Sequence, residues 1–196
     1  MAQINGYVYV PHGSYAQWKS ATWGNGYDVD RYYKNQCWDF CALLWHQYGL
    51  ILYTKSGGGG AADCWIVSKD KNAVPPFKAI TGKENIKKGD ILVWNRSRVH
   101  SNGHIGFADE NYNPNKSTIA CYGQNQTKAG SSAPVSIVEQ SYTGFLGIFR
   151  NTNWSGDEPT PEPSPASVYN RSGYNFVLFN RRKRQEKWTG KPLNKR

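Results

Sequence analysis

Residues 37–48, CWDFCALLWHQY, set the first constraint on this chain. Cys37, Cys41, Leu44 and Tyr48 recur at i, i+4, i+7 and i+11, so a helix here gathers them on one face. Asn35 is the expected N-cap and Gly49 the expected residue just past the C-terminus. The chain then changes character. After the KSGGGG loop at 55–60 and a short helix expected within ADCWIVSKD, apolar runs of strand length follow: ILVWN at 91–95, HIGFA at 104–108, STIACYG at 117–123 and FLGIF at 145–149. Turn signals separate them at Lys88-Gly89-Asp90, Asn111 to Asn115 and Ala129 to Pro134. Helices first and antiparallel strands afterwards predict an α+β domain, with N-terminal helices packed on an antiparallel sheet.

Composition divides the 196 residues into three segments. Residues 1–154 read as the folded domain, and their aromatic content argues against disorder. Residues 155–168, SGDEPTPEPSPASV, alternate proline with small and acidic residues and predict an extended linker. Residues 169–196 form a basic tail too short to make a stable domain alone. Net charge is +5 in the first segment, −3 in the linker and +8 in the tail, which together give +10. Such a chain is drawn to polyanions: nucleic acid, anionic lipid or the anionic polymers of a bacterial wall. The Arg181-Arg182-Lys183-Arg184 cluster is read as readily as a solvated tail, so nucleic acid is not the expected partner. No apolar run reaches the roughly 18 residues of a membrane span. The first 20 residues lack the basic start and apolar stretch of a secretory signal.

The four cysteines, Cys37, Cys41, Cys64 and Cys121, form no CxxC pair and are too sparse for a disulfide scaffold. Cys37 stands apart because it opens the predicted helix, where exposed backbone N–H groups favour a thiolate. A nucleophilic thiol needs a base. His104, at the start of a strand, is the candidate, with alternation sending Ile105 and Phe107 to the opposite face. The polar run Gly123-Gln124-Asn125 ends the next strand and offers groups to orient an imidazole. His100 and His104 are spaced HxxxH, but Ser101-Asn102-Gly103 between them opposes the helix that a zinc hydrolase motif requires. Before the nucleophile, Asp28, Asp30 and Asp39 supply oxygen donors at spacings that suit a hard cation or a solvated turn alike.

The order and spacing of QCWDF, KKGDILVW, GHIGF, YGQNQ and GFLGIFR resemble the CHAP domain, the cysteine/histidine-dependent amidohydrolase/peptidase of bacterial and phage cell-wall hydrolases, over about residues 14–152. The resemblance implies a papain-like α+β fold and cleavage of a peptidoglycan amide bond in a Gram-positive wall. It implies Cys37 as nucleophile, His104 as general base, and Gln36 assisting the Cys37 N–H in holding the oxyanion. Many members carry an acidic residue before Gln-Asn; here Gly123 stands in that place, so the orienting role is expected of Asn125. The resemblance also implies a structural Ca²⁺ held by the side chains of Asp28, Asp30 and Asp39 and the carbonyls of Tyr32 and Lys34. It further implies a phage lysin. The tail would anchor to teichoic acid or dock onto other virion tail proteins, and the virion-associated reading is favoured over an endolysin held in the host cytoplasm until lysis.

Overall fold

The computed structural model describes residues 3–6, 8–127 and 130–154; the expected linker at 155–168 and basic tail at 169–196 lie outside the described residues. In chain order the elements are β1 (Gln3–Asn5), α1 (Tyr15–Thr22), β2 (Gly26–Asp28), α2 (Cys37–Gln47), α3 (Asp63–Ile66), α4 (Lys69–Asn72), β3 (Phe77–Ile80), a 3₁₀ turn (Lys83–Asn85), β4 (Ile91–Trp94), β5 (His104–Ala108), β6 (Thr118–Gly123), β7 (Ser136–Ser141) and β8 (Phe145–Asn151). Six strands form one antiparallel sheet in the order β3-β8-β4-β5-β6-β7, and β1 pairs parallel with β2. This is the α+β architecture expected, helices before sheet. No helix among the described residues is long and apolar enough to cross a membrane.

The central helix α2 is buried from Cys37 through Trp45 except at Trp38, wider than the single face its periodicity marks. One side lies on the sheet, in one cluster with Val93, Ile105, Phe107, Tyr122 and Phe149. Trp18 of α1 and Tyr27 of β2 cover the other, stacking on Phe40 with centroids at 5.5 and 5.7 Å. Phe40 also meets Phe107 edge to face at 5.2 Å. Full burial of such a ring contributes about 2–3 kcal/mol, so this aromatic nest fixes α2 against β5. At the far end of α2, Trp45 stacks on Phe77 at 3.8 Å.

The helix boundaries follow local chemistry. The N-cap is Gln36 rather than the expected Asn35: the Asp39 carboxylate reaches back to accept the Gln36 N–H at 2.9 Å, whereas the Asn35 amide donates to Ser132 O at 3.1 Å. Gly49 lies at φ +68°, the left-handed conformation that ends a helix. The expected helix within ADCWIVSKD forms as two short turns, α3 and α4.

Candidate active site

Cys37 is the first residue of α2, and His104 the first of β5. The approach of the two elements depends on the turn before His104. Gly103 sits at φ +79°, and a Cβ there would lie 2.6 Å from Ala62 Cβ and 2.7 Å from Trp94 O, so only glycine lets the 60–62 loop close on β4 at this point. The Cys37 thiol is hydrogen-bonded by the backbone of Ile105, the residue after His104, and by Trp38 and its own N–H. Helix N-terminus and strand start are therefore in direct contact.

Those N–H groups would stabilise a thiolate, as the sequence suggests, but burial outweighs them. Cys37 is 8% exposed, and desolvation, with a smaller contribution from the Asp39 charge, pushes its thiol up to about 11. The expected low thiol pKa is not seen in the resting site. The imidazole moves the opposite way. His104 is 1% exposed; burial first, then the neighbouring His100, lowers it to about 3, against an opposing contribution from Gln126. The resting pair is thus a neutral thiol and a neutral imidazole.

The His104 ring leaves β5 on the face opposite Ile105 and Phe107. It stacks on His100, with centroids 4.5 Å apart and planes 24° apart, and lies 5.8 Å from Trp94. Stacked rings aim their in-plane lone pairs past one another, which disfavours the HxxxH pair as ligands of one ion. The hydrogen-bonding neighbour of the His104 ring is the Gln126 side chain, and the thiol is not bonded to the ring at rest.

Asn125 and Gln36, both expected beside the reacting groups, bond to each other instead. Asn125 Nδ2 donates to Gln36 Oε1 at 2.9 Å, while Asn125 Oδ1 accepts from Ser131 Oγ at 2.7 Å and Ser132 N at 3.1 Å. The Asn125 amide is therefore spent away from His104. Gln36 Nε2 donates to Tyr33 O at 2.6 Å, which ties the side chain to its own loop. Gln124 adds a clasp, donating to Gln36 O and Tyr27 O, both at 2.6 Å. These amides hold the loop that presents Cys37.

Asp28, Asp30 and Asp39 each place a carboxylate oxygen within 4.8 Å of the others, the one cluster of three or more potential metal-binding side chains that converges among the described residues. Asp39 is 1% exposed, and burial followed by the charge of Asp30 pushes its carboxyl up to about 7. Three oxygens converging with two of their carboxylates buried are a donor set that fits a hard divalent cation. Left-handed residues at Arg31, Tyr33 and Lys34 coil the intervening loop. The Lys34 carbonyl accepts the Gln36 N–H at 2.8 Å, so one of its lone pairs is already engaged.

The CHAP domain family model matches residues 22–125, more than half of the chain. The chain belongs to the CHAP domain family. Among solved structures, it is similar to the wild-type endolysin LysIME-EF1, with TM-score 0.53 and 24% identity over 68% of this chain and 60% of that one. It also aligns with the crystal structure of Ly7917 at TM-score 0.41 and 11% identity, over 60% of this chain and 53% of that one. The CHAP chain thus spans about three-fifths of the length of the endolysin it matches. No curated protein sequence matches it. Within this CHAP domain Cys37 opens α2 and His104 opens β5.

Sequence reasoning missed the roles of His100, Gln124 and Gln126. The signal available was three consecutive amides, Gln124-Asn125-Gln126, at the end of a strand beside His104.

Proposed function

We propose that this chain is a peptidoglycan hydrolase that cleaves an amide bond of the Gram-positive wall with Cys37 as nucleophile and His104 as general base. The observation that carries the reading is the Cys37 thiol at the N-terminus of α2, hydrogen-bonded to the strand residue adjoining His104. As Cys37 Sγ attacks the carbonyl carbon, its proton passes to His104. The Cys37 N–H at the helix N-terminus, which bonds the thiol at rest, passes to the developing oxyanion. His104 then gives the proton to the leaving amine, and a thioester remains. Water, deprotonated by His104, attacks the thioester, and the released thiolate recovers the proton. The neutral resting pair makes proton transfer part of the attack rather than a step before it.

Asp28, Asp30 and Asp39 would hold Ca²⁺, with the carbonyls of Tyr32 and Lys34 as further oxygens. The bound ion supplies positive charge that relieves their mutual repulsion and pins the loop ahead of Cys37. The net +8 tail supports anchoring to wall teichoic acid or to other tail proteins of a phage particle.

Cys37→Ala is expected to abolish release of new amino groups from purified Gram-positive walls, and wild-type clearing by that variant would end the reading. Mass spectrometry of the released fragments assigns the bond as N-acetylmuramoyl-L-alanine or a cross-bridge peptide bond such as D-alanyl-glycyl. Detection of the chain in purified particles assigns it to the virion, and its absence there to release of progeny.

A further inference from the structure

Gln126 follows the two amides that hold the Cys37 loop, and its side chain turns the other way. Its Nε2 donates to Cys121 O at 3.0 Å and to Ser136 O, so both amide hydrogens are committed to backbone carbonyls. That fixes which end of the amide is which, and Oε1 is left as the free end. Oε1 is buried, and with Nε2 committed it is the end of the amide that meets the His104 ring. The glycine pair beneath them brings the two together. β5 and β6 run antiparallel with Phe107 opposite Tyr122, which sets Gly106 opposite Gly123. A Cβ on Gly106 would lie 3.8 Å from His104 Nε2, and a Cβ on Gly123 would lie 3.5 Å from Gln126 Oε1. Over this glycine floor the Gln126 side chain is the hydrogen-bonding neighbour of the His104 ring. The Gln126 backbone adds a second hold, because its carbonyl hydrogen-bonds His100, the ring stacked on His104.

We propose that Gln126 is the positioning residue of the general base: its Oε1 accepts the His104 Nε2–H, fixes the ring in that tautomer, and leaves Nδ1 to take the Cys37 proton. The amide fills the space that a side chain at position 123 would otherwise take, and Asn125 is released to brace Gln36. A neutral amide acceptor also stabilises an imidazolium less than a carboxylate does, in keeping with the low basicity of this ring.

The inference rests on the hydrolase reading, and the test separates the two. Full-length wild type, Cys37→Ala, Gln126→Ala and Gly123→Glu/Gln126→Ala are compared for amine release against wall concentration. Gln126→Ala is expected to lower kcat at least tenfold with KM within twofold, and the double variant to return kcat to within threefold of wild type. The rescued enzyme should also show its acid limb at higher pH, since a carboxylate holds imidazolium more strongly. A folded Gln126→Ala with more than half the wild-type kcat overturns the assignment, and so does a double variant no more active than Gln126→Ala. If Gln126→Ala does not fold, ¹⁵N spectra of the wild-type imidazole decide: a single Nε2–H tautomer for His104 supports the assignment, and an Nδ1–H tautomer overturns it. An active Cys37→Ala removes the hydrolase reading itself. An inactive Cys37→Ala beside a fully active Gln126→Ala removes this inference alone.

Discussion

Alkylation of Cys37 measures whether the resting site holds a thiol or a thiolate. Burial pushes the thiol up to about 11, so at pH 7 roughly one molecule in ten thousand carries the thiolate. A free cysteine of pKa about 8.5 carries about three in a hundred, some 300-fold more. The more basic thiolate is the stronger nucleophile, which offsets about tenfold of that difference. Iodoacetamide is therefore expected to label Cys37 about 30-fold more slowly than free cysteine at pH 7, and more slowly still because only 8% of the residue is exposed. The rate should climb about tenfold per pH unit, without a plateau, as far as the fold survives. Cys41, Cys64 and Cys121 are fully buried, so peptide mapping assigns early label to Cys37. Labelling at pH 7 as fast as free cysteine, with a plateau below pH 8, would mean that a thiolate–imidazolium pair already exists, and the concerted mechanism above would be wrong.

Ca²⁺ bears on the same thiol. The Asp39 charge is one cause of its raised pKa, so added Ca²⁺ should speed Cys37 labelling at fixed pH and raise the melting temperature, and chelator should reverse both. Because the Asp39 carboxyl lies above the ordinary carboxylate range, metal-free stability should fall as pH rises from about 4 to about 7, and Ca²⁺ should flatten that fall; identical melts and labelling with and without chelator count against the ion. Away from the site, Arg150 donates to the buried Asp90 carboxylate from Nε at 2.8 Å and Nη2 at 2.7 Å. Arg150→Met should cost about 3 kcal/mol and lower the melting temperature by about 6–12 °C, with Asp90→Asn/Arg150→Met recovering part of it by calorimetry.

The parts of this fold legible in the sequence are those whose signal is local. α2 shows in its apolar repeat, and β4, β5, β6 and β8 show as apolar runs, because both faces of those segments meet protein. α1 does not show: YAQWKSAT buries only Tyr15, Trp18 and Thr22, and its clearest mark is Ser14, whose hydroxyl accepts the Gln17 N–H at 3.2 Å. β7 is an edge strand alternating between half-buried and exposed, with no apolar run to mark it. The thiol's basicity was beyond sequence reasoning for a different reason. The helix N-terminus can be read locally, but the desolvation that outweighs it comes from residues distant along the chain.

The division of labour among the three amides turns on one backbone angle. If β6 kept its register past Gly123, Asn125 would stand opposite His104 and share its face, as strand alternation implies. Asn125 instead lies at φ +54°. That left-handed step ends the alternation, carries the Asn125 amide across to Gln36, and returns the Gln126 side chain over the Gly106–Gly123 floor towards His104. An asparagine tolerates such a conformation better than most residues, and here the Asn125 N–H donates to Ala133 O at 2.9 Å and its side chain caps the 131–132 turn. Glycine at 123 and a left-handed Asn125 are thus two halves of one arrangement. The first leaves the space beside the imidazole, and the second delivers Gln126 into it.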